Sequence, residues 1–178
     1  MKKSIQYPTF GDEFYFQWHL TERCNLKCLH CYQNNTPLSE LPVQDLLVIV
    51  DKMEEALTKW GKKGTLSLTG GEPFLRRDEL HVLMNRLDAS DCVVYYDILT
   101  NGSLMTEREA KALSSYTGLR RVQVSLEGAS PERNDQIRGE GSFSDTLGAI
   151  HNLKDAAIDA SVMMTITRQN RDQIRPMI

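Results

Sequence analysis

The chain has 178 residues, 40% of them apolar and 25% charged, with a formal net charge of −3. This is ordinary globular composition, ample for one core, and the dispersed lysines and arginines leave no basic footprint for a nucleic-acid partner. No apolar run approaches the length that spans a membrane, and Met1-Lys2-Lys3-Ser4-Ile5-Gln6-Tyr7-Pro8 lacks the apolar segment of an export signal, so a reducing cytoplasm is expected.

Residues 1–13 read as an N-terminal segment ahead of a single domain, 14–178. The first predicted strand, Phe14 to Leu20, runs directly into Arg23-Cys24-Asn25-Leu26-Lys27-Cys28-Leu29-His30-Cys31-Tyr32. Three thiolates at such short spacing can converge on one metal centre, and cubane iron–sulfur clusters are built from cysteines spaced in this way. Three ligands leave one coordination position for a substrate or cofactor, whereas a structural zinc site is normally closed by four. Zinc would have to recruit His30, His19 or the distant Cys92, and a second compact ligand pair is absent. The alternative of unrelated buried thiols stays open at this point, and Cys92 itself reads as a core residue at a strand start. Asn34-Asn35-Thr36 has the form of a glycosylation acceptor, which carries no meaning without export.

Further along, Val43, Leu46, Leu47, Val50, Met53 and Leu57 fall on one helical face closed by Gly61. A second strand, Thr65 to Thr69, meets Gly70-Gly71-Glu72-Pro73. The next helix is predicted over Asp78 to Leu87, with Asp78 and Glu79 at its positive end. A third strand, Val93 to Thr100, is followed by Asn101-Gly102, and Thr106-Glu107-Arg108-Glu109 has capping-box form. The fourth strand, Arg121 to Leu126, carries Ser125 and Glu127 at its end. A helix follows Ser144, with Leu147, Ile150, His151 and Leu153 at helical spacing, and a fifth strand runs from Ala160 to Thr167 ahead of Arg168 and Asn170.

Alternating strands and helices imply βαβ units and a parallel sheet, whose right-handed crossovers place all strand C-terminal ends on one ligand-bearing rim. The cysteines, Gly70-Gly71-Glu72-Pro73, Asn101-Gly102, Ser125 and Glu127, and Arg168 and Asn170 all fall there. Singly, each is an ordinary turn or solvated group. Together they point to a ligand: paired glycines let backbone approach it closely, and a carboxylate can accept from an ammonium group.

Cys24-x-x-x-Cys28-x-x-Cys31 after a first strand, with Gly70-Gly71-Glu72-Pro73 after a second, resembles the radical S-adenosylmethionine (SAM) superfamily. Val124-Ser125-Leu126-Glu127-Gly128, Ile137-Arg138-Gly139 and Gly141-Ser142-Phe143 resemble the branch that carries C-terminal SPASM or twitch domains, which includes peptide-modifying maturases. The resemblance implies a partial (β/α)6 TIM-like barrel of parallel strands, here truncated after the fifth strand, so that the chain reads as an incomplete core. It implies a 4Fe-4S cluster on Cys24, Cys28 and Cys31, with SAM on the fourth iron, cleaved reductively to methionine and a 5'-deoxyadenosyl radical that abstracts a substrate hydrogen. By the same resemblance Gly70, Gly71, Glu72 and Pro73 receive the SAM ammonium, Ser125 and Arg138 its carboxylate, Thr100 and Asn101 lie near ribose and methionine, and His30 and Tyr32 flank adenine. The implied partners are a peptide or protein precursor and a reductant such as flavodoxin or ferredoxin. A small-molecule cofactor pathway and a noncatalytic iron–sulfur or zinc module are the alternatives. No residue is assigned as proton donor or substrate clamp, although Asp97, Glu127 and Asn170 are candidates to face the cavity.

Overall fold

The computed structural model describes residues 11–33 and 39–178, so Asn34-Asn35-Thr36 and the first ten residues lie outside the described residues. Strands β1 (Glu13–His19), β2 (Lys63–Thr69), β3 (Val93–Thr100), β4 (Leu119–Ser125) and β5 (Ala160–Met163) form one sheet in chain order. Every neighbouring pair is parallel. Helices α1 (Val43–Trp60), α2 (Arg77–Asp88), α3 (Glu107–Leu113), α4 (Pro131–Arg138) and α5 (Ser142–Asp155) make the crossovers, and the sheet is open rather than closed into a barrel.

The period-2 alternation of the strands sorts the two faces. Leu66, Leu68, Tyr96, Ile98, Val122 and Val124 point to the helices and form the core with Leu80, Leu83, Met84, Leu87, Leu113 and Leu153. Each such side chain, fully withdrawn from water, contributes about 1.5–3 kcal/mol. The opposite face is polar, presenting Thr65, Ser67, Thr69 and Asp97. Helix α1 buries Leu46, Val50 and Leu57, and Gly61 at φ +62° ends it by donating its N–H to Leu57 and Thr58 carbonyls.

Two elements differ from the sequence reading by more than two residues at one end, and one helix is absent from that reading. β5 stops at Met163 instead of Thr167, because side chains take over its backbone: Thr165 N–H donates to Glu127 at 2.8 Å and Thr167 N–H to Asn170 at 2.7 Å. α5 opens at Ser142, ahead of Ser144, since the Asp135 carboxylate accepts from Gly141 and Phe143 N–H groups, both at 2.8 Å. α4 has no counterpart in the predicted elements. Cys92 is half-buried ahead of β3, 3.6 Å from the Thr58 hydroxyl, and not in the core.

Candidate functional site

The cysteine loop is sewn to the rim before any ligand is considered. Gly71 N–H donates to Thr21 O at 2.7 Å and Glu72 N–H to Arg23 O at 2.8 Å, while Leu29 N–H reaches Ile137 O at the end of α4 at 2.8 Å. A Cβ at Gly70 would stand 2.3 Å from Thr21 O, and one at Gly71 would stand 2.1 Å from Arg23 O. The glycine pair is therefore required first by the chain's own close approach, with Gly70 also at φ +140°.

A cavity of about 450 Å³ opens at this rim, a size typical of small-molecule sites. Cys24, Cys28 and Cys31 line it together with Gly70, Gly71, Thr100, Asn101, Ser125, Arg138, His30 and Tyr32. Two expected residues do not line it. Glu72 is fully buried behind the rim, and its carboxylate accepts from Phe74 N–H at 3.1 Å, Thr100 Oγ1 at 2.8 Å and Asn101 N–H at 2.8 Å. Burial pushes its pKa up, against these three donors. Glu72 organises the turns that carry Thr100 and Asn101, and with no accessible surface it does not face the cavity. Pro73 is buried as the first residue of a 3-10 turn, Pro73–Arg76.

Burial also raises the Cys24 and Cys28 thiols, at Cys28 against the pull of Arg138. Beside them lies a network that no sequence signal announces. Glu127, almost fully buried, accepts from Arg138 Nη1 at 3.2 Å and Thr165 N–H at 2.8 Å and lies 3.5 Å from His30 Nε2. Asn170 Nδ2 donates to the Glu127 carbonyl at 3.1 Å, so Asn170 supports this wall and does not line the cavity. Residues 30, 127, 138, 165 and 170 meet only through the tertiary fold. Arg138 Nε and His30 Nδ1 remain buried without hydrogen-bond partners among the described residues. An unspent guanidinium donor suits an anionic ligand group.

Among the described residues no three His, Cys, Asp or Glu side chains cluster tightly enough to hold a single metal ion. Three thiols spaced around a cavity suit a multi-iron cluster, in which each thiolate takes its own iron, better than one zinc. Cys92 sits at the start of β3, on the opposite rim, too far along the strand to serve as a fourth ligand.

Comparison with known proteins agrees with this arrangement. The family model described as "Radical SAM superfamily" matches residues 18–178. The chain is similar to the mycofactocin maturase MftC of Mycolicibacterium smegmatis, 36% identical over 162 residues, covering 88% of this chain and 38% of that protein. It is similar to the AdoMet-dependent heme synthase of Methanosarcina barkeri, 33% identical over 161 residues, covering 88% and 44% respectively. In fold it resembles the structure of anSMEcpe with bound AdoMet and Cp18Cys peptide, with a TM-score of 0.71 at 20% identity, covering 93% of this chain and 48% of that one. The chain thus spans about two fifths of the length of the curated relatives it matches. From the cysteine loop, the rim it is sewn to and a family match over nearly its whole length, the chain belongs to the radical SAM superfamily, whose chemistry uses SAM with an iron–sulfur cluster.

Proposed function

We propose that residues 14–178 are the catalytic core of a cytoplasmic enzyme that modifies a peptide or protein precursor, with Cys24, Cys28 and Cys31 as ligands of a 4Fe-4S cluster. The observation that carries this reading is the convergence of the three thiols and eight of the ten expected SAM-contact residues on one cavity. When bound, the cluster and SAM supply one-electron cleavage chemistry that ends in removal of a substrate hydrogen; the reductant is a low-potential carrier of the flavodoxin or ferredoxin kind.

The chain's own residues bind and orient. Arg138, with a buried and unpartnered Nε, and the neighbouring Ser125 offer donors for the SAM carboxylate. Glu127 holds Arg138 by one terminal nitrogen and His30 by its ring, so the two keep a fixed relation to the cysteine loop. Gly70 and Gly71 offer backbone at the wall, and Thr100 and Asn101 are held in place from behind by Glu72. His30 and Tyr32 flank the space assigned to adenine. A precursor peptide is favoured by the relatives named as maturases and by the peptide bound in the similar anSMEcpe structure. A small-molecule substrate is the second reading, favoured by the comparable identity to a heme synthase.

Arg138→Ala tests the assignment of the SAM carboxylate. Calorimetric titration of the reconstituted protein should show SAM affinity reduced roughly tenfold or more, as for loss of a charge-assisted hydrogen bond, with cluster iron content unchanged. Unaltered affinity would remove Arg138 from the SAM site.

A further inference from the structure

Of the three loop cysteines, Cys24 has the most elaborate surroundings, and Asn101 stands at their centre. The turn after β3 brings Asn101 to the cavity wall, beside Thr69 of the polar, inner face of the sheet, and leaves it 5% exposed. Every polar group of this residue is engaged. Its backbone N–H donates to Glu72 at 2.8 Å, and its carbonyl accepts from the Thr146 hydroxyl at 3.4 Å. In the side chain, Nδ2 donates to Asn25 Oδ1 at 2.9 Å and to Cys24 Sγ at 3.8 Å, while Oδ1 accepts from Ser103 N–H at 2.9 Å and Ser103 Oγ at 2.6 Å.

Asn101, Asn25 and Ser103 thereby close a cycle in which each side chain donates to the next, Asn25 Nδ2 reaching Ser103 Oγ at 2.8 Å. The cycle fixes which way the Asn101 amide points. A backbone N–H can only donate, so the atom that faces Ser103 N is the amide oxygen, and the amide nitrogen is left against the sulfur. One Nδ2 proton is spent on Asn25 and the other is directed at Cys24. The same sulfur also accepts from Leu26 N–H at 3.4 Å. Among the described residues no such hydrogen bond reaches the Cys28 or Cys31 sulfur. A donor aimed at a ligand sulfur stabilises the reduced form of a cluster, which carries one more negative charge, and so raises its reduction potential.

We propose that Asn101 is a positioning residue that sets the reduction potential of the cluster through Cys24, with Asn25 and Ser103 holding its amide in place. The inference rests on the reading above that Cys24 is a cluster ligand. It gives the Asn101 side chain a task at the cysteine loop, distinct from the place near ribose and methionine implied by the family resemblance.

The test is a mediated redox titration of the full chain, reconstituted anaerobically without SAM and followed by the paramagnetic signal of the reduced cluster. Asn101→Ala removes the donor and should shift the midpoint potential downward. Asn101→Asp keeps the shape but sets a carboxylate oxygen against the sulfur, and should shift it further down. Ser103→Ala leaves the Asn101 amide present but less firmly held, and should shift the potential in the same direction by less; it keeps the test decisive if the Asn101 variants load no iron. A residue that only braced the loop would change iron content or melting temperature and leave the potential where it is. Equal potentials in the wild type and every iron-loaded variant, or an upward shift, overturn the proposal. SAM added to the same samples separates it from the proposed function: a cluster that responds to SAM but keeps its potential in the variants sinks only the role of Asn101, whereas a wild type that forms no cluster sinks both.

Discussion

Glu72 has no accessible surface, yet three donors from two different turns end on it: Phe74 N–H, Asn101 N–H and the Thr100 hydroxyl. A buried donor left without an acceptor costs its full desolvation, about 1–3 kcal/mol. Glu72→Gln keeps the shape but replaces one accepting oxygen by an NH2 group aimed at a donor. Urea unfolding should then show stability reduced by about 1–3 kcal/mol, with SAM affinity falling as Thr100 and Asn101 lose their support; wild-type stability would contradict the buried-acceptor role. The identity of Glu72 was legible in the sequence as part of Gly70-Gly71-Glu72-Pro73, but its orientation was not, since a carboxylate after a tight turn can face ligand or protein. Glu127 was less legible still: its partners His30, Arg138 and Thr165 lie on three separate segments.

At the scale of elements, strong periodicity was read well and weak periodicity was missed. The apolar face of α1 matches its buried positions, and the β-branched and aromatic runs read as the second, third and fourth strands form β2, β3 and β4. α4, whose stretch Pro131-Glu132-Arg133-Asn134-Asp135-Gln136-Ile137-Arg138 has Ile137 as its one strongly apolar residue besides the proline, offered no stripe to detect. The capping box at Thr106 is half formed: Thr106 accepts from Glu109 N–H at 3.2 Å, but the Glu109 carboxylate turns to Arg77 at 2.6 Å and His81 at 2.8 Å. Two glycines predict opposite signs. Gly148, exposed within α5 with nothing within 4 Å of an added Cβ, should gain about 1 kcal/mol on Gly148→Ala. Gly71→Ala, with its Cβ driven onto Arg23 O, should lose about 1–3 kcal/mol and displace the cysteine loop. Thermal melts of both, with iron content after anaerobic reconstitution of Gly71→Ala, check this; a stable Gly71→Ala that loads iron normally would contradict the close-approach argument.

For the whole molecule, parallel pairing made the rim readable in advance. Once all strands run the same way, everything following a strand lands on one edge, and the cysteines, Gly70, Gly71, Asn101, Ser125 and His30 meet there. The inner face was not readable, because which side chains share a row depends on the shifted register between β3 and β4. The central claim is that the three-cysteine loop holds a cluster with one coordination position open to SAM. Electron paramagnetic resonance of the anaerobically reconstituted, dithionite-reduced chain, recorded with and without SAM, tests this most directly. The account predicts a reduced-cluster signal whose g-values change when SAM is added. A cluster signal indifferent to SAM, or zinc recovered in place of iron, would contradict it.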